Sequence, residues 1–263
     1  MYAIKRELKL NNKQQSYFAG CAGFSRFVYN YGLELLKSSW EWEVKSSDSK
    51  RIDAIKKTLT NITKKQAEFA WTNQYSSRIY QNSLRNFKSA FKQWRDPKLK
   101  AQMPQFKRKR HQCSFTVDNS NGKCLIKAGK FIKIPTLGTF KLKEPIPYDC
   151  ISQTFTISRS AGKWYVSFTI DVCPDRAMNH PNTVVGIDLG VKTFASLSDG
   201  KTLEAPPSIK KAKTKLCKAQ WRNRNKVLGS RRDGIKASNN AQKYYQKLSQ
   251  KHQQISNIRE DFL

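Results

Sequence analysis

Acidic residues are scarce in this 263-residue sequence, and that scarcity narrows the classes of partner that the protein can bind. Nineteen Asp and Glu stand against 50 Lys and Arg, which gives a formal net charge of +31 at pH 7. Solubility requires far less charge, so the composition predicts a polyanionic partner. Hydrophobic residues make up 38% and aromatic residues 11% of the chain, which is typical of a folded protein and not of a disordered basic tail.

Long apolar runs are missing as well. No segment approaches the roughly 18 consecutive apolar residues of a membrane-spanning helix. The opening MYAIKRELKL also lacks the apolar core of a signal peptide. We therefore predict no membrane partner, and charge spread through a folded chain favours nucleic acid over a lipid surface.

Paired cysteines are the third absence. The six cysteines are widely scattered, and no two of them form a C-x-x-C motif. This spacing indicates neither a zinc site nor a disulfide framework, and the three histidines show no ligand spacing. We expect reduced thiols in a reducing cytoplasm. Any bound metal is therefore predicted to have oxygen ligands.

Three helices are predicted in the first part of the chain. Asn11 is placed to cap a helix that runs to about Trp42. A second carries apolar residues from Ile52 to Phe69 at helical spacing, and a third spans 76–95. One side of the third helix carries a cationic stripe without an interleaved acid: Arg78, Arg85, Lys88, Lys92 and Arg95. A solvated face is the common explanation of such a stripe, whereas the missing acids favour a surface that faces phosphates.

The pattern changes after Met103 to short strands separated by Gly, Pro and Asn turns. Every second residue of Trp164–Ile170 is apolar, and this face is predicted to line a small barrel or a strongly curved sheet. Four consecutive cations lie near Phe106 and Phe115: Lys107, Arg108, Lys109 and Arg110. Basic residues beside aromatics are typical of nucleic-acid binding, although a solvated loop with two core anchors explains the aromatics equally well.

A basic helical region begins near Ser208. Residues 208–236 contain eleven Lys or Arg and one acid, Asp233. Seven of these cations are predicted to contact nucleic acid: Lys210, Lys211, Lys213, Arg222, Arg224, Arg231 and Arg232. A turn near 229–234 separates this region from a further helix, whose apolar face runs from Ala241 to Phe262.

An aspartate interrupts the apolar stretch TVVGIDLG at residues 183–190. The flanking residues predict a strand, a turn and a second strand over Phe194–Leu197. Burial of Asp188 within that strand would cost several kcal/mol unless a cation or a hydrogen-bond donor compensates it.

Four explanations of Asp188 are open. The first is a structural aspartate held by backbone donors, and the second is a residue of a Rossmann-type nucleotide site. The third is a residue of an actin-like or sugar-kinase phosphate site, and the fourth is the first carboxylate of an RNase H-like nuclease. The Rossmann explanation lacks the glycine-rich turn that it needs. The net charge favours the nuclease over an ATP-binding fold, because a strand-cutting enzyme needs a cationic channel. Hard carboxylate ligands suit Mg²⁺.

Six stretches stand out along the whole chain: YAIKRELKLNNKQQ, MPQFKRKRHQCSF, KIPTLGTFKLK, ISRSAGKWYVSFTIDV, VVGIDLGVKTFASLSDG and QKLSQKHQQISNIREDFL. Their order and content resemble the OrfB/TnpB proteins of bacterial and archaeal insertion sequences, relatives of the type V CRISPR effector nucleases.

The resemblance implies an RNA-guided DNA endonuclease that holds the guide–target heteroduplex by its backbone and reads a short flanking motif. It implies an α+β fold. A wedge-like β-barrel is expected from residues 1–10 and 103–180, interrupted by a helical recognition insert at 11–102, with the N-terminal part of a RuvC-type RNase H-like domain at 181–263. The implied partners are guide RNA and DNA, and the implied location is a bacterial or archaeal cytoplasm.

On the family pattern Asp188 matches the first catalytic carboxylate, which would bind Mg²⁺. The family continues with a glutamate, a second aspartate and a four-cysteine zinc ribbon, and the sequence reaches REDFL without them. Glu204, Glu260 and Asp261 do not lie in matching motifs. We therefore expect this chain to bind nucleic acid better than it cuts. A nuclease-dead RNA-guided DNA-binding repressor and a structural RNA-binding protein are the alternatives.

Overall fold

The computed structural model describes residues 2–41, 48–61, 65–109, 113–170, 184–190, 193–204, 207–230 and 234–262. Arg110, Arg231 and Arg232, three of the cations predicted to contact nucleic acid, lie outside the described residues. The chain divides into two compact units, Met1–Pro174 and Asp175–Leu263. Each unit combines helices with antiparallel strands, so the predicted α+β class is confirmed.

The described helices of the first unit are α1 (Asn12–Glu41), α2 (Asp48–Asn61), a 3-10 helix (Ala67–Gln74) and α3 (Ser77–Arg95). Two of them, α1 and α3, begin where the sequence predicts them, α2 begins slightly earlier, and the 3-10 helix was not predicted. At the start of α1, Gln14 N–H donates to Asn11 Oδ1 at 2.8 Å, while Asn11 N–H donates to Gln14 Oε1 at 3.0 Å. These two bonds form a capping box that satisfies two backbone donors. Ser76 Oγ accepts from Arg78 N–H at 3.2 Å and caps α3.

The second predicted helix is shorter than its apolar periodicity suggests. It ends at Asn61, and Phe69 lies in the 3-10 helix. The ring of Phe69 packs against Phe27 at 5.6 Å and Tyr31 at 5.8 Å, both on α1. Aromatic contacts with α1 therefore place this segment, and they override the helical pattern.

The first unit has eight strands among its described residues. They are β1 (Tyr2–Lys9), β2 (Ser114–Asp118), β3 (Cys124–Ile126), β4 (Gly129–Ile134), β5 (Gly138–Ile146), β6 (Cys150–Ser152), β7 (Thr154–Ser160) and β8 (Lys163–Ile170). Six of these strands follow the sequence pattern with small shifts of their ends, whereas β2 and β6 were not predicted. An antiparallel sheet contains six of the eight in the order β2-β7-β8-β1-β5-β4, and β3 pairs with β6. The first strand of the chain thus lies inside a sheet whose other strands come after the helices.

The core of the first unit lies between the sheet and α1. Phe18 on α1 is completely buried, and its ring centroid lies 5.6 Å from Phe115, 5.0 Å from Phe140 and 5.6 Å from Trp164. Alternate residues of the strands point into this core, as the period of two predicts. The helices and the sheet therefore share one continuous apolar core.

The second unit is built from short elements. Its strands are β9 (Ile187–Asp188), β10 (Ala195–Leu197) and β11 (Thr202–Leu203), in the order β11-β10-β9. Two helices, α4 (Pro207–Arg222) and α5 (Asn239–Phe262), pack against each other. Phe194 meets Phe262 edge-on, with 4.8 Å between ring centroids.

None of the described helices has both the length and the apolar character that a membrane span requires.

Candidate nucleic-acid interface

Asp188 lies on the edge strand β9, opposite Ser196 of β10. The expectation of a buried strand around it is wrong, because Asp188 is exposed and so are its apolar neighbours. Val184 is 98%, Ile187 66% and Leu189 70% exposed. The physical reason is the position of β9 at the edge of its sheet, where no strand of the described part of the unit lies on its outer side. Asp188 therefore meets no desolvation cost in this structure.

The described residues around Asp188 do not form a metal site. No group of three or more His, Cys, Asp or Glu that could hold a metal ion occurs among the described residues. Asp199, in the turn after β10, is paired with Lys201 at 2.9 Å, and the hydrogen bond from Lys201 lowers the pKa of the Asp199 carboxyl. Divalent metals in nucleases need several oxygen ligands at once. We therefore derive no metal-dependent step from these residues.

The cationic stripe of α3 is on the surface, but acids from other elements reach it. Arg85, Lys88, Lys92 and Arg95 are exposed, and Arg78 is half-buried. Arg85 Nη1 lies 3.4 Å from Asp118 Oδ2 on β2, and Lys88 Nζ lies 3.6 Å from Asp53 Oδ1 on α2. These partners are distant in sequence, so inspection of α3 alone does not find them. Two of the five cations are thus partly neutralised.

The basic segment 107–109 is fixed to α1 by an amide side chain. Lys107 N–H donates to Asn30 Oδ1 at 2.8 Å, and Asn30 Nδ2 donates to Lys107 O at 3.0 Å. Lys107 Nζ lies 3.9 Å from the ring centroid of Tyr29, and burial lowers the pKa of Lys107. Lys107 is therefore an anchor, whereas Arg108 and Lys109 are exposed to solvent.

The two aromatics beside this segment have different environments. Phe115 is 2% exposed and belongs to the core, as the core-anchor explanation predicts. Phe106 is 45% exposed, and Lys37 Nζ lies 4.9 Å from its ring centroid. Only Phe106 is therefore available to a ligand at the surface.

The cations predicted on α4 are all exposed: Lys210, Lys211, Lys213 and Arg222. Arg224, two residues after the helix, is exposed as well. Leu216 of α4 is buried, in a unit where α4 packs against α5. The amphipathic character of α4 therefore places its charges outward.

The solvent face of the six-stranded sheet carries a set of lysines that sequence reasoning missed. Six of them are exposed, on β1, β4, β5 and β8: Lys5, Lys9, Lys133, Lys141, Lys143 and Lys163. Lys9 and Lys141 are direct neighbours across the strand pair β1–β5, an arrangement of like charges that costs free energy unless an anion relieves it. Glu7 lies among them, 3.0 Å from Lys163 and 3.4 Å from Lys143. The signal was present in YAIKRELK and KLK, where lysine or glutamate alternates with residues that face the core.

Both ends of the chain match models of one protein family. Residues 1–45 match the helix-turn-helix domain of the OrfB proteins of IS605-type elements, and residues 167–263 match the probable transposase of the same group. The chain belongs to the OrfB/TnpB family. Within residues 2–41 this family member has one strand and one continuous helix, β1 and α1, and not two helices joined by a turn.

Curated relatives of this OrfB/TnpB protein are longer than the chain. A putative RNA-guided DNA endonuclease, InsQ, of Escherichia coli strain K12 is 29% identical over 264 residues, which cover 100% of this chain and 61% of the relative. A putative RNA-guided DNA endonuclease of Streptomyces pristinaespiralis is 28% identical over 278 residues, covering 100% of this chain and 63% of the relative. The chain thus spans about three fifths of the length of these relatives.

A solved structure is similar to this chain over part of its length. A chain in the cryo-EM structure of a CRISPR-Cas12f ternary complex aligns with 83% of this chain and 54% of its own length, at 13% identity and a TM-score of 0.38. A similarity of this size does not establish a shared fold.

Proposed function

We propose that this OrfB/TnpB protein binds a guide RNA and the DNA that pairs with it, as a member of an RNA-guided DNA endonuclease lineage associated with transposition. The observation that carries the proposal is the exposure of the predicted cations. All of those in the described part of the chain are exposed except Arg78 and Lys107, which are half-buried. Exposed Lys and Arg release counterions when they meet phosphates, which is the main source of sequence-independent affinity for nucleic acid.

The proposal includes an assignment of the chain to three structural parts. The six-stranded sheet would form the wedge-like barrel of residues 1–10 and 103–180, because β1 joins strands that come after the helices. The helices between β1 and β2 would be the recognition insert at 11–102, and residues 181–263 the first part of a RuvC-type domain. Their strand, hairpin and basic helix have the order that the resemblance implies.

Asp188 would be the first carboxylate of the metal site in this lineage, with Mg²⁺ as the ion that its hard oxygen ligand suits. A guided DNA-binding protein that does not cut is the second candidate. It is favoured by the lack of a multi-ligand cluster around Asp188 within the described residues.

The test of binding is a salt titration of the purified 263-residue chain with the RNA that co-purifies with it and with complementary DNA. We expect affinity to fall about 10³-fold or more between about 50 and 200 mM salt, as for a protein with several phosphate contacts. Affinity that does not depend on salt would contradict the proposal.

The test of cutting compares the same chain with its Asp188→Ala variant in the presence of Mg²⁺. Because Asp188 is exposed and contributes no packing, the variant should bind RNA and DNA as the unchanged chain does. Guide-dependent cuts that the substitution abolishes would refute the non-cutting candidate. Equal binding without cuts in either protein would support it.

A further inference from the structure

Trp221, in the last turn of α4, is 67% exposed. Tryptophan is usually among the best-covered side chains, since burial of its large ring is favourable. Trp164 of the first unit, by comparison, is 2% exposed. A tryptophan that leaves two thirds of its surface in solvent is an observation that the packing of α4 does not explain.

The position of Trp221 on the helix places it among cations. Residues 3, 7 and 11 positions earlier share its side of an α-helix, and two of these three are Lys218 and Lys210. Both are exposed, as Trp221 is, whereas Leu216 of the same helix is buried. The helix contains no acidic residue between Pro207 and Arg222.

Arg224 contacts Trp221 in a fixed geometry. The guanidinium Cζ of Arg224 lies 4.7 Å from the ring centroid of Trp221, and its Nη1 donates to the backbone oxygen of Trp221 at 3.1 Å. Trp221 as a whole stays 67% exposed although Arg224 lies over its ring. Most of the aromatic surface is therefore still open, beside a cation that is already oriented.

We propose that Trp221 and Arg224 form a stacking site for an unpaired nucleobase, and that the cations of α4 hold the phosphates of the same strand. The inference rests on the proposed nucleic-acid function and names a ligand for α4. An aromatic ring flanked by cations suits single strands, because every unpaired base offers a π-face and the backbone carries one negative charge per phosphate. A duplex stacks its bases on one another and does not expose these faces.

The experiment measures the affinity of the whole chain for a labelled single-stranded oligonucleotide, for the duplex of the same sequence, and for the single strand with abasic sites. We expect Trp221→Ala to weaken single-strand binding about 5- to 100-fold, the range for loss of one stacked base. Duplex binding should change less than about twofold, and the slope of affinity against salt should stay the same, since no phosphate contact is lost. Trp221→Phe, which keeps a ring, should retain most of the affinity.

Two matched variants separate stacking from other effects. Lys218→Ala should lower the salt slope for the single strand by about 0.7. Ile235→Ala removes an exposed apolar side chain, 51% exposed, from the same unit and should leave binding unchanged. The abasic strand should bind the unchanged protein as weakly as the normal strand binds Trp221→Ala.

Three results would overturn the inference. Single-strand binding that Trp221→Ala leaves within twofold would show that the ring is not a base-stacking residue and serves another contact. Equal weakening of single strand and duplex by Trp221→Ala and Trp221→Phe would assign Trp221 a purely structural role. If the unchanged chain bound no nucleic acid at all, the proposed function would fail together with this inference, whereas the first two results leave the proposed function intact.

Discussion

The two units of this protein differ in where their apolar side chains lie. In the first unit one core runs from Ile4 on β1 to Ile170 on β8 and includes residues from all three helices. In the second unit the apolar residues of the strand segment around Asp188 are in solvent, as are Trp221, Val227 and Ile235. Burial of apolar surface is the main favourable term in folding. Among the described residues, the first unit therefore has a large apolar core, whereas the second buries only a few apolar side chains: Ala195, Leu216, Ala241 and Ile255.

The units also differ in how many acidic residues pair with their Lys and Arg side chains. In the first unit Asp118, Asp53 and Glu7 pair with lysines or arginines of the proposed interface. In the second unit α4 carries its cations without an acid in the helix. Charge in the first unit thus contributes to tertiary structure as well as to binding. On α4 we expect it to serve the ligand alone.

The largest predicted difference between the units is in the free energy of unfolding that each loses when one apolar side chain is truncated to alanine. Phe18→Ala should lower the free energy of unfolding by about 3–5 kcal/mol, because it opens a cavity between Phe115, Phe140 and Trp164. Ile187→Ala should change it by less than about 0.5 kcal/mol, because the side chain is 66% exposed. Chemical denaturation followed by circular dichroism measures both. Equal effects would refute the contrast in packing.

A smaller difference is predicted between two acids within the first unit. Asp118 is 6% exposed and accepts from Asn82 Nδ2 at 3.0 Å and Arg85 Nη1 at 3.4 Å. Asn82 Nδ2 also donates to Arg78 O at 2.9 Å, so Asp118→Ala leaves one of its two N–H groups without an acceptor and should cost about 1–3 kcal/mol in the free energy of unfolding. Asp53→Ala removes an exposed pair with Lys88 and should cost at most about 1 kcal/mol. The same denaturation assay compares them, and a larger loss from Asp53→Ala would argue against a structural role for Asp118.

Sequence reasoning succeeded where structure is set by near neighbours. Asn11 and Ser76 mark the starts of α1 and α3, because a cap bonds to backbone groups two or three residues away. The alternation in Trp164–Ile170 predicts its buried face, because strand side chains alternate whatever the neighbouring strand is.

The sequence-based predictions failed where contacts with residues distant in sequence determine the structure. Burial of the strand around Asp188 depends on elements that cover it, and in this structure its apolar residues are exposed. The position of Phe69 is determined by its contact with Phe27 of α1, and not by the helical periodicity of its own segment. The lysine face of the sheet exists only because β1 pairs with β5 and β8 in a register that no local pattern specifies.

A third substitution, Glu7→Gln, tests how acids limit binding in the first unit. Glu7→Gln should change the free energy of unfolding by at most about 1 kcal/mol, because the side chains of Lys143 and Lys163 are 48% and 43% exposed. The hydrogen bond to Glu7 raises the pKa of Lys163 above 10.5. This contribution is therefore fully present below pH 10.5 and is lost as the pH rises above the raised value. A stability profile measured from neutral to alkaline pH should show the difference between Glu7→Gln and the unchanged protein disappear only in that alkaline range.

The same substitution should strengthen binding, because it frees Lys143 and Lys163 for phosphates. We expect a steeper salt dependence with RNA, by up to about 1.4 in the slope if both lysines gain a contact with a single strand. Glu34→Gln on α1 is the matched control, since it makes the same change of charge at an exposed position away from this lysine pair. If both variants raise affinity equally, only net charge matters and the sheet face is not a contact surface. A gain restricted to Glu7→Gln would place nucleic acid on the sheet and would show that the ion pairs of Glu7 lower the affinity of the first unit.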